Sequence, residues 1–365
     1  MTSTFPWRLL IGTSSSPGGT NRGIYAADFH GDGSLSAARL VTEAPNPGFL
    51  ARHPIRSVVY AAGEVTRTDP KVVAGALNAY AYDAKSGVLE LLNQQATGGM
   101  GVTHLSVTPD GRAAYTASYH GGQVAGFSLE TDGRVGARSA WILPTGTLGP
   151  RRDRQEKPHP HCALVDPAGA LVSVCDLGLD VVLTFQIAPK GATVKPAKPS
   201  SIAALPGDGP RHGRFSDDGK FLYVINELAS SIRVLAKSND TGGWSAVQSI
   251  STLPAGFQGQ NICSEIQIHP SGAFVYGANR GHESIAVFRR NPSDGTLAPI
   301  EIAPCGGRHP RHFALSPDGA WLVSANRDTN NLAVLRIDPK TGQLSSPVGT
   351  TEVPSPTCVL FCATE

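Results

Sequence analysis

Residues 207–227 read GDGPRHGRFSDDGKFLYVINE. Pro210, Arg211 and His212 lead into a short strand. Asp217-Asp218-Gly219 reverses the chain, because Asp-Gly tolerates the positive φ that tight turns need. Phe221 to Ile225 returns as a continuous apolar strand and ends on Asn226 and Glu227, polar groups emerging from a buried run. The same order recurs along the chain, and that recurrence predicts the fold.

With the turn glycine as register mark, the repeats carry TPDG at 108–111, DPAG at 166–169, SDDG at 216–219, HPSG at 269–272 and SPDG at 316–319. HPIR at 53–56 fits the same frame with Arg56 in the glycine's place. Successive spacings are 55, 58, 50, 53 and 47 residues. Each turn precedes an apolar strand, then a third with period-two alternation such as SIRVL at 231–235 or SIAVF at 284–288. A hairpin turn and a fourth, edge strand follow. Four antiparallel strands at a period near 50 predict a propeller blade. No stretch of 10–15 residues carries a 3.6 period, so an all-β chain is expected.

Six turns leave sequence over at both ends. PSPTCVLF at 354–361 resembles a strand entering a turn, WRLLIG at 7–12 the strand leaving it, and GIYAADF at 23–29 the third. The chain is therefore expected to form one seven-bladed β-propeller domain over 1–365. Residues 5–43 and 354–365 share a blade, which removes the open sheet edge. The longest insertion, 145–157, carries RRDRQEK at 151–157. A solvated charged loop is its plain reading and a substrate lid the sharper one.

Composition narrows the function. Lys and Arg total 31 against 29 Asp and Glu, a formal charge of +2. That balance offers no long-range attraction for nucleic acid or a membrane surface. The six cysteines show no C-x-x-C spacing and mostly lie in apolar runs, which reads as buried free thiols in a reducing cytosol. The first residues lack a basic segment before Leu9-Leu10-Ile11, so no secretory signal is expected. No apolar run approaches the roughly 20 residues of a membrane helix.

Counting from the turn glycines places chemistry at one rim. Eight residues before them stand Thr103, His161, Arg211, Ser264 and Arg311; seven before, His104, Cys162, His212, Glu265 and His312. Eight residues after them stand Tyr119, Leu177, Glu227, Arg280 and Arg327, and Glu64 holds that place after Arg56. A hairpin sets positions equally far from its turn side by side, so these residues should converge on one mouth of an axial channel. The repeated Asn226, Asn279 and Asn326 read as blade-to-blade hydrogen bonding, and His104, His212 and His312 as buried imidazoles bonded to backbone. Arg211, Arg280, Glu227 and His161 repeat less uniformly. Guanidinium groups packed closely are costly without an anion and suit a carboxylate or phosphate. Phosphate loops, serine elbows and zinc motifs are missing. His159-Pro160-His161 is a weak metal pattern, and neither metal nor cofactor is expected.

At these residues the chain resembles the seven-bladed propeller lactonase family, which includes bacterial 6-phosphogluconolactonase and fungal carboxy-cis,cis-muconate cyclase. The resembling runs are PHPH at 158–161, DLGLD at 176–180, GPRH at 209–212, YVINE at 223–227 and GANR at 277–280. The departures are Pro54-Ile55-Arg56 and the basic insertion. The resemblance implies catalytic residues at His161, Arg211, Glu227 and Arg280. Arg327, Arg311, His159, His104, Glu64, Tyr119 and His212 are expected to bind substrate around them. Glu227 or His161 would take a proton from water, and the arginines would hold the anion and stabilise the oxyanion. The implied substrate is a small anionic lactone, 6-phospho-D-glucono-1,5-lactone first. A non-phosphorylated hexuronic or aldaric acid lactone, a carboxymuconate-type cycloisomerisation and a non-enzymatic binding scaffold are the alternatives.

Overall fold

The computed structural model describes residues 7–14, 22–64, 74–238 and 242–364; residues 5, 6, 15–21 and 365 of the expected shared blade lie outside these. The described residues form seven four-stranded antiparallel sheets and no helix. From the axis outward, blade 1 comprises Pro356–Ala363, Trp7–Thr13, Gly23–Phe29 and Arg39–Glu43. The innermost strands of blades 2–7 are Phe49–Arg52, Val102–Val107, Pro160–Val165, Pro210–Phe215, Ile262–Ile268 and Pro310–Leu315. Each touches the innermost strand of both neighbouring blades, and Pro356–Ala363 meets Phe49–Arg52 to complete the ring. As expected, strands from the two ends of the chain share one sheet, with Leu9 opposite Phe361 and Leu10 opposite Leu360.

Burial follows position in the blade. Second strands are covered on both faces by neighbouring blades: every residue of Phe221–Asn226 and of Trp321–Asn326 is buried, including the polar Asn226, Ser324 and Asn326. Outer strands such as Trp244–Ser251 have only partly buried and exposed positions, as burial on one side alone requires. A tyrosine on the second strand also ties several blades to the next. The hydroxyls of Tyr60, Tyr115, Tyr223 and Tyr276 donate to carbonyls of Gly133, Ala192, Gly295 and Gly342 at 2.8, 3.0, 2.8 and 2.9 Å. The five turn glycines have φ between +65° and +74°, the left-handed region that favours glycine. Arg56 is outside that region; there the His53 ring accepts the backbone N–H groups of Ile55 and Arg56, both at 3.1 Å.

The register departs from simple mirror pairing in a way that builds the site. Phe215 pairs with Leu222 and His212 with Ile225, but Pro210 pairs with Asn226. Arg211 is thus the extra residue of a β-bulge. The same irregularity isolates Thr103, His161, Arg311 and Thr357 on their strands, and one spanning Ser264–Glu265 occurs in blade 6. A bulge breaks the alternation of side chains and re-aims them. Consecutive residues such as Arg211 and His212 can therefore both serve the axis, where a regular strand would present one.

Candidate active site

A carboxylate surrounded by guanidinium groups sits at the rim of blade 5. Glu227 Oε2 is 2.9 Å from Arg211 Nε and 2.9 Å from Arg280 Nη2, while Oε1 is 2.5 Å from Arg154 Nη2. Side chains of Glu227, Arg211 and Arg280 are only 3%, 2% and 4% exposed. Arg211 Nη1 also donates to Ser264 O, and Arg280 Nη2 to Cys263 O, both at 2.5 Å. Burial alone would raise the Glu227 carboxyl, but Arg280, Arg211, Arg154 and Arg311 together hold it well below the usual carboxylate range. Burial, with the positive charge of Arg280, lowers Arg211 to about 10, still protonated at neutral pH.

Arg311 is different. It lines an axial cavity of about 230 Å³ together with Arg211, Arg327, His212, Glu64 and Thr103. Among the described residues it has no hydrogen bond or ion pair, and its pKa is driven well below the ordinary arginine value by burial and then by Arg211 and Arg280. Arg327 lies at the same cavity with its Nε on Asp328 Oδ1 at 2.8 Å. Positive charge therefore exceeds what Glu227 neutralises, and a half-buried cation without a protein partner is a place for an anion.

The axial channel is closed below this cavity. Phe49 packs against His104, His212 and His312 with ring centroids 4.4, 5.9 and 5.6 Å apart. On the other side of this plug lies a second cavity of about 540 Å³, lined by His104, Phe49 and His312 among others. Of the three histidines expected to bond to backbone, only His312 does so, accepting Val359 N–H at 3.2 Å. His212 instead meets Glu265 at 2.8 Å, and His104 bonds no backbone group, its ring lying beside the Cys162 thiol. Asn279 and Asn326 bond the segments leading into their blades, through Thr252 O and Cys305 O. Asn226 bonds within its own blade, to Ser231 Oγ.

His161 is buried beside His212 and Tyr119, with ring centroids at 5.1 and 5.4 Å. Burial, then Arg211, His212 and Arg311, push its pKa well below the ordinary imidazole value, so it is neutral at pH 7. His159 lines neither axial cavity. It stacks on Tyr119 at 4.2 Å and bridges Tyr119 O to Glu156, so it supports Tyr119 and does not face either cavity. Glu64 lines the axial cavity and accepts from Asn46 Nδ2 at 2.9 Å. Tyr119 OH lies 3.4 Å from Arg154 Nη2.

The insertion is more than a solvated loop. Gln155 is fully buried; its side chain donates to Leu177 O at 2.8 Å and accepts Arg151 N–H at 2.9 Å. This bolts the segment to the blade 4 rim and carries Arg154 across to Glu227, 73 residues away. Beneath it, Arg154 and Arg280 help line a side cavity of about 640 Å³. Neither the reach of Arg154 to Glu227 nor the pairing of Glu265 with His212 is signalled by spacing along the chain. The full burial of Gln155 within a charged run carries no sequence signal.

Asp176 fixes the segment that aims His161. Its Oδ1 accepts the N–H groups of His159, Gly178 and Leu179 at 2.8, 3.0 and 3.1 Å, while Oδ2 is buried without a partner. Burial pushes the carboxyl up to about 6 despite those backbone donors. Between about pH 4 and 6 the unfolded chain ionises this group while the folded chain keeps it protonated, so stability falls as pH rises through that window. Asp176→Asn is expected to be more stable than wild type at pH 8, with the difference vanishing near pH 4. Urea denaturation at the two pH values checks this.

All six cysteines are buried and unbridged. Among the described residues no group of three His, Cys, Asp or Glu is placed to hold a metal ion, and no helix is long and apolar enough to cross a membrane.

Comparison with known proteins gives concordant matches. Residues 8–361 match the family model described as lactonase, 7-bladed beta-propeller. The chain is 34% identical over 344 residues to the 6-phosphogluconolactonase of Bacillus subtilis strain 168, covering 94% of this chain and 95% of that one. Among solved structures, the periplasmic gluconolactonase of Pseudomonas aeruginosa superposes with a TM-score of 0.91 at 30% identity, covering 99% of this chain and 100% of that one. A Lactobacillus plantarum protein superposes with a TM-score of 0.88 at 28% identity, covering 98% and 99%.

Proposed function

The chain belongs to the seven-bladed β-propeller lactonase family and is a lactonase; from that premise we propose that it hydrolyses 6-phospho-D-glucono-1,5-lactone to 6-phosphogluconate in the axial cavity. The observation that carries this reading is the unpaired guanidinium of Arg311, facing the same cavity as Arg211 and Arg327. A phosphate is a matching dianion for such a cluster. The match to the Bacillus 6-phosphogluconolactonase over 94% of the chain supports the same substrate, which belongs to the pentose phosphate pathway.

In the proposed reaction, Arg311 and Arg327 hold the phosphate. Arg211 faces the lactone carbonyl and stabilises the oxyanion formed by water attack. Glu227 keeps Arg211, Arg280 and Arg154 in place; with both oxygens committed to guanidinium groups, it is a poor proton acceptor. The proton of the attacking water therefore goes to a neutral imidazole, for which His161 and His212 are the candidates. Collapse of the tetrahedral intermediate breaks the bond from the carbonyl carbon to the ring oxygen. The same proton then reaches that oxygen, giving the open acid. Lactones are reactive esters, so positioning and one base suffice.

A non-phosphorylated sugar-acid lactone is the second reading, favoured by the name of the Pseudomonas gluconolactonase. The buried arginine cluster argues against a passive scaffold. A cytosolic location rests on the six unbridged thiols; the periplasmic location belongs to the Pseudomonas relative. A pH-indicator assay with 6-phosphogluconolactone, glucono-1,5-lactone and a hexuronic acid lactone tests substrate choice. The phosphorylated lactone is expected to exceed the neutral one by about 100-fold in kcat/KM, the worth of a charge-assisted contact. Equal values for the two would remove phosphate recognition.

A further inference from the structure

We propose that His212 is the general base of this site and that Glu265 is its positioning residue. The inference rests on the lactonase reading above and deepens it, because that reading leaves two imidazoles open.

The geometry distinguishes them. Among the described residues, His212 lines the axial cavity with Arg211 and Arg311, whereas His161 does not. His212 Nδ1 lies 2.8 Å from Glu265 Oε2. Glu265 is itself fully buried and held by Arg214 Nη2 at 3.2 Å on its other oxygen, with His312 Nε2 at 3.5 Å from Oε2. Burial alone would raise its carboxyl, but His212, Arg214 and His312 keep it well below the usual carboxylate range. An ionised carboxylate only accepts hydrogen bonds, so His212 Nδ1 must carry the proton and Nε2 must be the lone-pair nitrogen. That Nε2 has no hydrogen-bond partner. His312 is tied off: its Nδ1 accepts Val359 N–H, so its Nε2 carries a proton toward Glu265.

The result is a carboxylate–imidazole pair, with one nitrogen anchored and the opposite one buried without a partner, on a residue that lines the cavity holding the free arginine. This is the arrangement by which a carboxylate fixes tautomer and orientation for a base and stabilises the imidazolium that forms. The groups facing His212 are Arg211, Glu265, His104 and His161, with the Phe49 ring. Burial, and then Arg211, oppose its protonation before substrate arrives. A bound anion offsets that charge, so basicity increases only in the complex. The base takes one proton from water as the carbon–oxygen bond forms and returns it to the ring oxygen as the ester bond breaks.

Steady-state kinetics of His212→Gln, Glu265→Gln, His161→Gln and the His212→Gln/Glu265→Gln double variant test this, on 6-phosphogluconolactone and glucono-1,5-lactone. His212→Gln and Glu265→Gln are each expected to lower kcat by about 100-fold or more with KM within about threefold, the range for loss of a general base. The double variant should be no worse than His212→Gln alone, because the pair acts as a unit. A His212→Gln enzyme retaining kcat while His161→Gln loses it would transfer the role to His161 and overturn the proposal. So would losses in KM with kcat intact. If the variants do not fold, histidine ring ¹⁵N spectra of the wild-type protein decide: Nδ1–H on His212 is expected, and Nε2–H overturns the dyad. Wild-type inactivity on every lactone would defeat the functional reading, while the ring spectrum still judges the pair.

Discussion

Glu227→Gln is expected to damage fold and catalysis together. Glutamine keeps the shape but removes the charge that Arg211, Arg280 and Arg154 share. Arg154 is 30% exposed and can turn to water; Arg211 and Arg280 cannot. Removing one partner of a buried ion pair costs roughly 3–5 kcal/mol, because the remaining charge stays desolvated. The urea midpoint should fall accordingly. With the two guanidinium groups no longer held, kcat/KM for the phosphorylated lactone should drop by about 100-fold or more, as expected for a misplaced oxyanion donor. Inorganic phosphate should restore stability to the variant more than it adds to wild type, since the anion replaces the missing charge. Unfolding curves with and without phosphate decide the matter. An unchanged midpoint would mean that Glu227 does not organise the cluster.

Arg311→Met should split the two properties. Arg311 is buried beside Arg211 and Arg280, and although the Glu227 charge acts on it from a distance, no carboxylate pairs with it directly among the described residues. Methionine retains an apolar stem in the same space and removes the charge. Relief of a strained functional residue commonly stabilises by about 0.5–2 kcal/mol, so the urea midpoint should rise. Hydrolysis of the phosphorylated lactone should fall by about 30- to 1,000-fold in kcat/KM, the loss of one charge-assisted contact of roughly 2–4 kcal/mol. The neutral lactone should be largely spared. Equal losses on both lactones, or a less stable variant, would mean that Arg311 is part of the frame and not an anion receptor.

These two variants separate residues that the sequence grouped together. Both arginines of the GPRH-type segments, Arg211 and Arg311, stand eight residues before a turn glycine. The count correctly brought them to one rim with Glu227, Arg280 and Arg327. It could not say that Arg211 is neutralised and Arg311 is not. His159, expected to bind substrate, instead stacks on Tyr119, whereas His161, expected to be catalytic, lies among the arginines. The expectation of mirror pairing across each turn overlooked the bulge at Arg211 and its counterparts, because a single inserted residue leaves the apolar pattern of the following strand intact.

The sequence alone determined the seven blades, the closure of the ring by both ends of the chain, and the rim on which the charges lie. Those features follow from local rules: turn chemistry, a two-residue side-chain period and continuous apolar runs where both faces are covered. Tertiary structure decided which charges meet. Arg154 reaches Glu227 across 73 residues, and His212 finds Glu265 across 53. Such pairs form between different blades or from an insertion outside the repeat. Their energy depends on ångström-scale separation and burial in three dimensions, which no spacing along the chain encodes.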